Sequence, residues 1–565
     1  MTIFARFEDE NIKIKGAVFE ARRRFLYGSF KTKSLEDKGE HEMTEIYDTT
    51  LRDGAQTENI SFSVRDKLKI AWRLKEFGIP FVEGGWPSAN PKDTEFFQKA
   101  VATDLKDVLV AFGSTFHPKS RNAGDDKGLK ALILSGAKAV AIFGKTWDFH
   151  VSDALRIPLE ENLRIIFESV KFLKSRLEKV FFDAEHFFDG YKANPGYALE
   201  CLKAAERAGA DTIILCDTNG GALPAEVESV FRDIKRVGVS VALGIHAHND
   251  CELAVANSLA AVKAGAIQVQ GTINGLGERC GNANLVSIIP TLELKLGEKC
   301  LPPEKLNELR ETSLFISEVA NVAHSKRQAY VGDSAFAHKA GMHVSAVNRN
   351  PETYEHINPA SVGNKRRILV SDLSGRSNIL RKAGEIGMKL EEKSPRVQAI
   401  LDEIKSLENQ GYAFEAADAS FELLVKKAFG FYQPFFELVS SRIVNSKNGG
   451  LSRNEATVML RVGEREEHTA GKGDGPINAV DEALRKALER YYPILKKVRL
   501  VDYKVTVLSE IEGTSAKVRV LIESESDGER WTTIGVSTDV IEASRQALID
   551  GIEYFLLKKD VKALI

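Results

Sequence analysis

Two histidines in the short sequence His246-Ala247-His248 are spaced so that both can bind one cation. They end an apolar run that predicts a β-strand, and residues i and i+2 of a strand point to the same face. Asp53 follows another predicted strand and adds an anionic ligand, and the amide oxygen of Asn282 can complete or support the set. Two imidazoles and a carboxylate leave coordination positions open for a substrate. The pattern indicates a divalent-metal site, and a hydrogen-bonded pair of structural histidines is the alternative.

Further polar residues follow the ends of other predicted strands. Arg52 precedes Asp53, Glu185 ends the fifth strand, and Thr218 follows the sixth. In a parallel barrel the catalytic groups gather at the carboxyl ends of the strands. We therefore expect these side chains to meet at one site. The alternative for Thr218 is that its hydroxyl only stabilises the turn after the sixth strand.

Short apolar runs alternate with longer amphipathic segments between residue 45 and about residue 295. Eight such strand–helix units predict an α/β fold, a (β/α)8 TIM barrel, which we assign to a catalytic domain over residues 44–310. Several predicted helices are followed by glycine, which favours the left-handed conformation that ends a helix. The predicted strands are Glu45–Asp48, Phe81–Gly85, Val108–Ser114, Ala139–Gly144, Val180–Glu185, Thr212–Asp217, Val239–His246 and Ile267–Ile273.

The alternation of predicted strands and helices stops after the barrel, and predicted strands reappear near the carboxyl terminus. Residues 311–430 are polar with helical spacing and predict helical linker subdomains. Residues 431–565 contain two groups of three predicted strands and a helix, and both helices carry Ala-x-x-x-Ala-Leu, beginning at Ala479 and Ala543. This repetition predicts a duplicated βββα domain with a regulatory and dimerising role. Residues 1–43 are expected to form a poorly ordered extension.

The bulk properties exclude several classes of protein. A net charge of -2 gives no reason to expect nucleic acid or an anionic membrane as partner. No apolar run is long enough to span a bilayer. The five scattered cysteines include no CxxC pair, which favours a reducing compartment, and we expect a cytoplasmic protein. No phosphate-binding glycine loop of the nucleotide-dependent enzymes is found.

Three long motifs resemble the signatures of the isopropylmalate, homocitrate and citramalate synthases. They are Tyr47–Gln56 (YDTTLRDGAQ), His246–Asp250 (HAHND) and Asn274–Ala283 (NGLGERCGNA). The resemblance extends over residues 44–565, because the duplicated domain is similar to the regulatory domain of that family. Within the group, Phe81–Pro87 and Glu185–Tyr191 resemble the citramalate synthases most.

The resemblance implies a Claisen-type condensation of acetyl-CoA with a 2-oxo acid, here pyruvate, followed by thioester hydrolysis. Asp53, His246, His248 and Asn282 are then the metal ligands, and Mn, Mg, Zn and Co all suit mixed nitrogen and oxygen ligands. Arg52 stabilises the alkoxide that develops on the 2-oxo acid, and Thr218 hydrogen-bonds the carboxylate of the substrate.

The same resemblance places the catalytic base outside the barrel. It implies that His343, in Gly341-Met342-His343, takes the proton from the acetyl methyl group, with Tyr354 assisting and Glu185 polarising or positioning. His338 is the competing candidate. In this family the base reaches the barrel of the partner subunit, so a homodimer is expected. Isoleucine is the expected feedback inhibitor, and the glycine-rich Gly471–Pro476 segment suits its carboxylate.

Other functions remain open at this point. An isopropylmalate or homocitrate synthase differs only in a larger 2-oxo acid, and a metal-dependent lyase uses a similar barrel. A non-enzymatic amino-acid sensor is the alternative outside the enzymes. The number of chemically suited residues at predicted strand ends favours an enzyme of the acyltransferase class.

Overall fold

The computed structural model describes residues 43–369, 376–385, 395–448, 451–508 and 515–563. The predicted extension lies outside these ranges except for Met43. Eight parallel strands close into a barrel, in which β1 pairs with both β2 and β8. The predicted TIM barrel is confirmed. Its strands are β1 Glu45–Asp48, β2 Phe81–Gly85, β3 Leu109–Ser114, β4 Ala139–Lys145, β5 Lys179–Glu185, β6 Thr212–Asp217, β7 Ala242–Ala247 and β8 Gln268–Gly271.

Helices cover the outside of the barrel and connect its strands. Ser63 begins the first of them, because its hydroxyl accepts from the Asp66 amide while the Asp66 carboxylate accepts from the Ser63 amide. Gly78 ends the same helix at φ 100° and Gly265 ends another at φ 103°, so the predicted glycine ends are confirmed there. The helices are Val64–Phe77, Pro91–Ala100, Lys127–Leu134, Asp148–His150, Leu159–Lys174, Phe187–Ala193, Pro195–Arg207, Pro224–Arg236, Ala254–Ala264 and Leu285–Thr291.

Aromatic side chains fill the lower part of the barrel. Phe181 meets Tyr47 and Phe81 edge to face, with ring centroids 5.7 and 5.1 Å apart. Tyr47 and Phe181 are fully buried and pack with Cys216 from β6. Such packing fills the interior of the barrel with side chains. Polar side chains near the carboxyl ends of the strands are therefore held above a rigid apolar base.

The linker is mostly helical, as predicted, but it also contains two short strands. Ala337–His338 (β9) pairs in parallel with Arg367–Ile368 (β10). The sequence analysis predicted helical linker subdomains and did not identify these two strands. Two residues are too few to produce a periodicity in the sequence, so tertiary pairing alone defines these strands. The linker helices are Leu309–Val319, Gly341–Arg349, Arg376–Glu385, Pro395–Asn409 and Asp418–Phe429.

The C-terminal region contains two antiparallel three-stranded sheets, each followed by a helix. The duplicated βββα prediction is confirmed, and both helices contribute to one apolar core. In the part of the chain that the structure describes, no helix has the length and apolar character required to cross a membrane. The elements are β11 Glu437–Asn448, β12 Leu451–Val462, β13 Arg465–Gly473, helix Pro476–Leu488, β14 Arg499–Val507, β15 Val518–Ser526, β16 Glu529–Ser537 and helix Val540–Lys558.

The glycine-rich segment before the helix Pro476–Leu488 is shorter than predicted. Gly471 and Gly473 belong to β13 rather than to a loop. A Cβ on Gly471 would lie 2.5 Å from the carbonyl oxygen of Ala479 and from the amide nitrogen of Ala483. The glycines therefore allow the helix to pack closely on the strand, and only the residues after Gly473 form the connection.

Candidate active site

The three predicted charged and imidazole ligands converge at the mouth of the barrel. The Nε2 atom of His246 lies 3.4 Å from Oδ2 of Asp53 and 3.4 Å from Nε2 of His248. Nε2 of His248 lies 3.8 Å from the same carboxylate oxygen. One ligand atom from each residue falls within 4.8 Å of the others, and all three side chains are buried. This spacing suits a common cation.

Backbone and side-chain hydrogen bonds fix the loop that carries Asp53. Its amide donates to the carbonyl oxygen of Thr49, 2.9 Å away. The Asp48 carboxylate accepts from both the amide and the hydroxyl of Thr50, and the Thr50 hydroxyl oxygen accepts from the amide of Ile273. These contacts tie the loop after β1 to the loop after β8. Asp53 therefore faces the histidines at the end of β7 in a fixed position.

Asn282 lies beside this group, and its side-chain amide makes no hydrogen bond to the described residues. Its backbone forms a β-bridge with His248, and its side chain is buried. Among the described residues neither its Oδ1 nor its Nδ2 has a hydrogen-bond partner. A buried amide without a partner is costly, so an additional ligand at this position is expected. The donor set of two imidazoles, a carboxylate and an amide oxygen fits a divalent metal.

The electrostatics of the group favour a carboxylate anion. Although burial acts in the opposite direction, Arg52 and His246 hold the pKa of Asp53 well below its usual range. Burial also lowers the pKa of His246, but the hydrogen bond and the charge of Asp53 outweigh burial, so the pKa of His246 is raised. Burial, together with the charge of His246, lowers the pKa of His248 to about 3. His248 is therefore neutral near pH 7, which is the form that binds a metal.

Arg52 is held by contacts on three sides. Its Nε donates to Glu83 at 2.5 Å, and its Nη1 lies 3.2 Å from Oδ2 of Asp53. The guanidinium carbon sits 3.9 Å above the ring centre of Phe112. Glu83 is itself completely buried and also accepts from the hydroxyl of Tyr47. The guanidinium is consequently oriented before any substrate arrives.

A cavity of about 220 Å³ opens beside the candidate metal ligands. Trp86, Phe112 and Phe143 form one wall, with ring centroids 5.6–5.7 Å apart. Asp183 and Cys216 also line the cavity. Sequence reasoning did not assign these five residues to the site, although each lies in or directly after a predicted strand. Alternate residues of a barrel strand face the interior, and this rule could have found the four residues that lie on β3 to β6; Trp86 directly follows β2.

Glu185 and Thr218 both line the cavity, as the sequence predicted. Glu185 forms an ion pair with Lys145, with Nζ and Oε2 2.5 Å apart. The Thr218 hydroxyl oxygen accepts from the amide of His186 at 2.9 Å. The Thr218 hydroxyl thus stabilises the neighbouring turn, and among the described residues it donates to no acceptor, which leaves its proton available to a substrate. For Thr218 the structural and the substrate-binding alternatives are compatible.

His343 and Tyr354 do not line this cavity on their own chain. Their rings stack on each other with centroids 4.2 Å apart, and both side chains are exposed. His338 has a different environment, because its Nε2 lies 3.1 Å from the buried Glu355, which also pairs with Arg366. His338 is held within its own subdomain, whereas the ring of His343 can contact another molecule.

Three family models match consecutive parts of the chain. The HMGL-like model matches residues 43–316, the homocitrate synthase post-HMGL domain-like model residues 330–412, and the LeuA allosteric (dimerisation) domain model residues 415–556. Together with the barrel and its ligand cluster, these matches define a class. The chain is an HMGL-like barrel protein with a C-terminal allosteric domain.

Relatives that match over nearly their whole length identify the family within this class. (R)-Citramalate synthase of Geobacter sulfurreducens is 54% identical over 521 residues, which cover 92% of this chain and 98% of the relative. (R)-Citramalate synthase of Aquifex aeolicus is also 54% identical, over 92% and 99% of the two chains. 2-Isopropylmalate synthase of Methanocaldococcus jannaschii is 31% identical over 94% and 98%. The chain belongs to the (R)-citramalate synthase family.

Proposed function

We propose that this protein condenses acetyl-CoA with pyruvate and hydrolyses the thioester to give (R)-citramalate and CoA. The observation that carries the proposal is the Asp53–His246–His248 cluster at the mouth of a small cavity in a member of this family. The higher identity to citramalate synthases than to the isopropylmalate synthase supports pyruvate as the 2-oxo acid. The protein is then an acyltransferase that acts by a Claisen-type condensation.

Asp53, His246, His248 and Asn282 are the proposed metal ligands. A divalent ion bound there supplies Lewis acidity to a chelating 2-oxo acid. The ligand types do not select among Mn, Mg, Zn and Co. The Asp53 charge, which Arg52 maintains, gives the set its only anionic member and thereby most of its attraction for a dication.

Arg52 and Thr218 are proposed to bind the 2-oxo acid. The guanidinium, fixed by Glu83 and Phe112, can donate to the carbonyl oxygen as it becomes an alkoxide. Thr218 can donate its free hydroxyl proton to the substrate carboxylate. Both groups are oriented by other contacts, which reduces the reorganisation that the reaction requires.

The second reactant is acetyl-CoA, whose methyl group must lose a proton. We assign this step to His343 of the partner subunit, assisted by Tyr354. The resulting enolate carbon attacks C2 of pyruvate, the former carbonyl oxygen gains a proton, and water then cleaves the thioester to release CoA. Glu185, which pairs with Lys145 and lines the cavity, is proposed to position or polarise the acetyl group. The stacked and exposed His343–Tyr354 pair is consistent with a base that acts across a subunit boundary.

A homodimer is part of the proposal. Strand β14 exposes apolar side chains, an arrangement typical of surfaces that associate. These residues lie within the matched dimerisation domain. The exposed side chains are Leu500, Val501, Tyr503, Val505 and Val507.

The activity is tested by thiol release from acetyl-CoA with pyruvate, 2-oxoisovalerate and 2-oxoglutarate in turn. Pyruvate is expected to give the highest kcat/KM, since the aromatic wall restricts the side chain of the 2-oxo acid. Addition of a chelator should stop the reaction and excess divalent metal should restore it. A preference for either larger acid contradicts the substrate assignment, and full activity in chelator contradicts the metal site.

Phe143→Ala is expected to relax substrate selectivity. Removing the ring opens the aromatic wall beside Trp86, so that the branched side chain of 2-oxoisovalerate can enter. The ratio of kcat/KM for 2-oxoisovalerate to that for pyruvate should rise by roughly 10-fold or more, the usual effect of accommodating additional carbon atoms. Phe431→Ala, at an exposed site away from the cavity, is the control and should leave the ratio unchanged. An unchanged ratio in Phe143→Ala would place the specificity-determining wall elsewhere.

Isoleucine is the proposed inhibitor, acting through the duplicated domain. Activity of the full chain with saturating substrates should fall as isoleucine is added and should be insensitive to leucine. Deletion of residues 431–565 is expected to abolish this response, since the effector site is removed. The measurement is the ratio of activities with and without isoleucine. Inhibition that persists unchanged in the shortened chain is incompatible with an effector site in this domain.

A further inference from the structure

Gln270 on β8 links one metal ligand to a carboxylate inside the barrel. Its side chain is completely buried, and its Oε1 lies 2.9 Å from Nδ1 of His246. On the other side, its Nε2 donates to Oδ1 of Asp183 at 3.3 Å. The amide thus stands between the imidazole and the carboxylate, and both its ends are engaged.

The identity of the outer partner determines the direction of both hydrogen bonds. An ionised Asp183 has no proton to donate, so the amide nitrogen of Gln270 then faces Asp183. The amide oxygen then faces the imidazole, and Nδ1 of His246 must carry a proton in order to donate to it. In a neutral imidazole this leaves the lone pair on Nε2. Nε2 is the atom that lies 3.4 Å from the Asp53 carboxylate.

We propose that Gln270 is a positioning residue that holds His246 in the Nδ1-protonated tautomer, with its Nε2 lone pair directed at the metal site. The inference rests on the metal site of the proposed function. It adds a residue that is not among those lining the cavity and that acts only through His246. An outer partner of this kind orients the ring and increases the basicity of the ligand atom.

The second histidine has no comparable support. Among the described residues no hydrogen-bond partner reaches Nδ1 of His248, although this atom is buried. The ring of His248 is therefore fixed by packing and by its own backbone, which bridges to Asn282. Gln270 is consequently the contact that sets the tautomer of His246, and its loss should weaken the metal site.

Gln268 is a matched control on the same strand. It is also completely buried, and its side chain lies on the same face of β8, two residues before Gln270. Its Nε2 donates to Glu45 at 3.0 Å, at the amino end of the barrel. Gln268→Met and Gln270→Met remove equivalent buried amides, but only the second removes a contact with a metal ligand.

The experiment is calorimetric titration of the metal-free full-length protein with Co²⁺ alone, at a pH above the value of about 7 to which burial and Glu83 raise the pKa of Asp183. Gln270→Met is expected to weaken Co²⁺ binding by about 10–100-fold and to alter the visible absorption of the bound cobalt. Gln268→Met should bind Co²⁺ as the wild type does, even if both variants melt at a lower temperature. Equal affinity in Gln270→Met and wild type would overturn the inference.

Gln270→Glu provides a second test if the methionine variant does not fold. One carboxylate oxygen of the new side chain still accepts from Nδ1 of His246, and the other can share a proton with Asp183. Co²⁺ affinity should therefore remain near that of the wild type, and a loss of about 10-fold or more would contradict the positioning role.

Wild-type protein that binds Co²⁺ but does not condense pyruvate would refute the proposed reaction while leaving the Gln270 comparison valid. Failure of the wild type to bind Co²⁺ would refute the metal site and this inference together.

Discussion

Asp53→Ala is expected to lose metal binding and citramalate formation together. The substitution removes the only anionic member of the proposed ligand set. The two remaining imidazoles are neutral ligands and attract a dication less strongly. The loss in metal affinity should exceed the roughly 10–100-fold that follows removal of an outer-shell partner. Calorimetric titration with Mn²⁺ or Co²⁺ and steady-state kinetics with pyruvate measure the two effects separately.

Two further variants make the Asp53 prediction specific. Asp53→Asn keeps the volume and one ligand oxygen but removes the charge, so its metal affinity should lie between those of the wild type and Asp53→Ala. Asp107→Ala removes an exposed carboxylate that pairs with Lys138 far from the barrel mouth, and it should change neither property. Wild-type turnover in Asp53→Ala would show that the reaction takes place at another site.

Two inactive variants, Asp53→Ala and His343→Ala, are expected to restore activity when they are combined in one dimer. If His343 acts in the partner's barrel, a mixed dimer contains one barrel with an intact Asp53 that receives an intact His343. Random pairing of equal amounts should then recover about a quarter of wild-type activity, because half of the dimers are mixed and each has one complete site. Co-expression with two different affinity tags isolates the mixed dimer for kinetic measurement.

The control for this experiment combines two barrel variants. Arg52→Ala and Asp53→Ala each damage a residue of the same cavity, so no barrel in their mixed dimer is complete and no activity should return. Activity that fails to return with His343→Ala, although the mixed dimer is isolated, would mean that His343 serves its own barrel or has no catalytic role. The exposed position of the His343–Tyr354 pair on its own chain is the structural reason for the expectation.

Local spacing in the sequence was enough to predict the barrel and the residues that converge on it. Strand–helix alternation indicated eight parallel strands, and closure of β1 on β8 brings Asp53 to the histidines at the end of β7. Parallel strands end at the same side of a barrel, so a residue that directly follows a strand has a known position in space. This regularity is why Arg52, Glu185 and Thr218 could be predicted to share one cavity before any distance was known.

The sequence did not reveal contacts whose partners lie on different strands inside the barrel. Gln270 and Asp183 are far apart in the chain and belong to no recognisable motif, yet the closed barrel joins them to His246. The aromatic wall formed by Trp86, Phe112 and Phe143 also exists only where β2, β3 and β4 come together.

The sequence by itself therefore determined which residues end the strands, and with them the class of fold and the candidate ligand set. Only the tertiary structure decided which side chains support those ligands, how large the cavity is, and that His338 is held by Glu355 while His343 is exposed. The physical reason is that strand periodicity is a local property of the chain. The orientation of a buried amide or ring depends on partners brought together by folding.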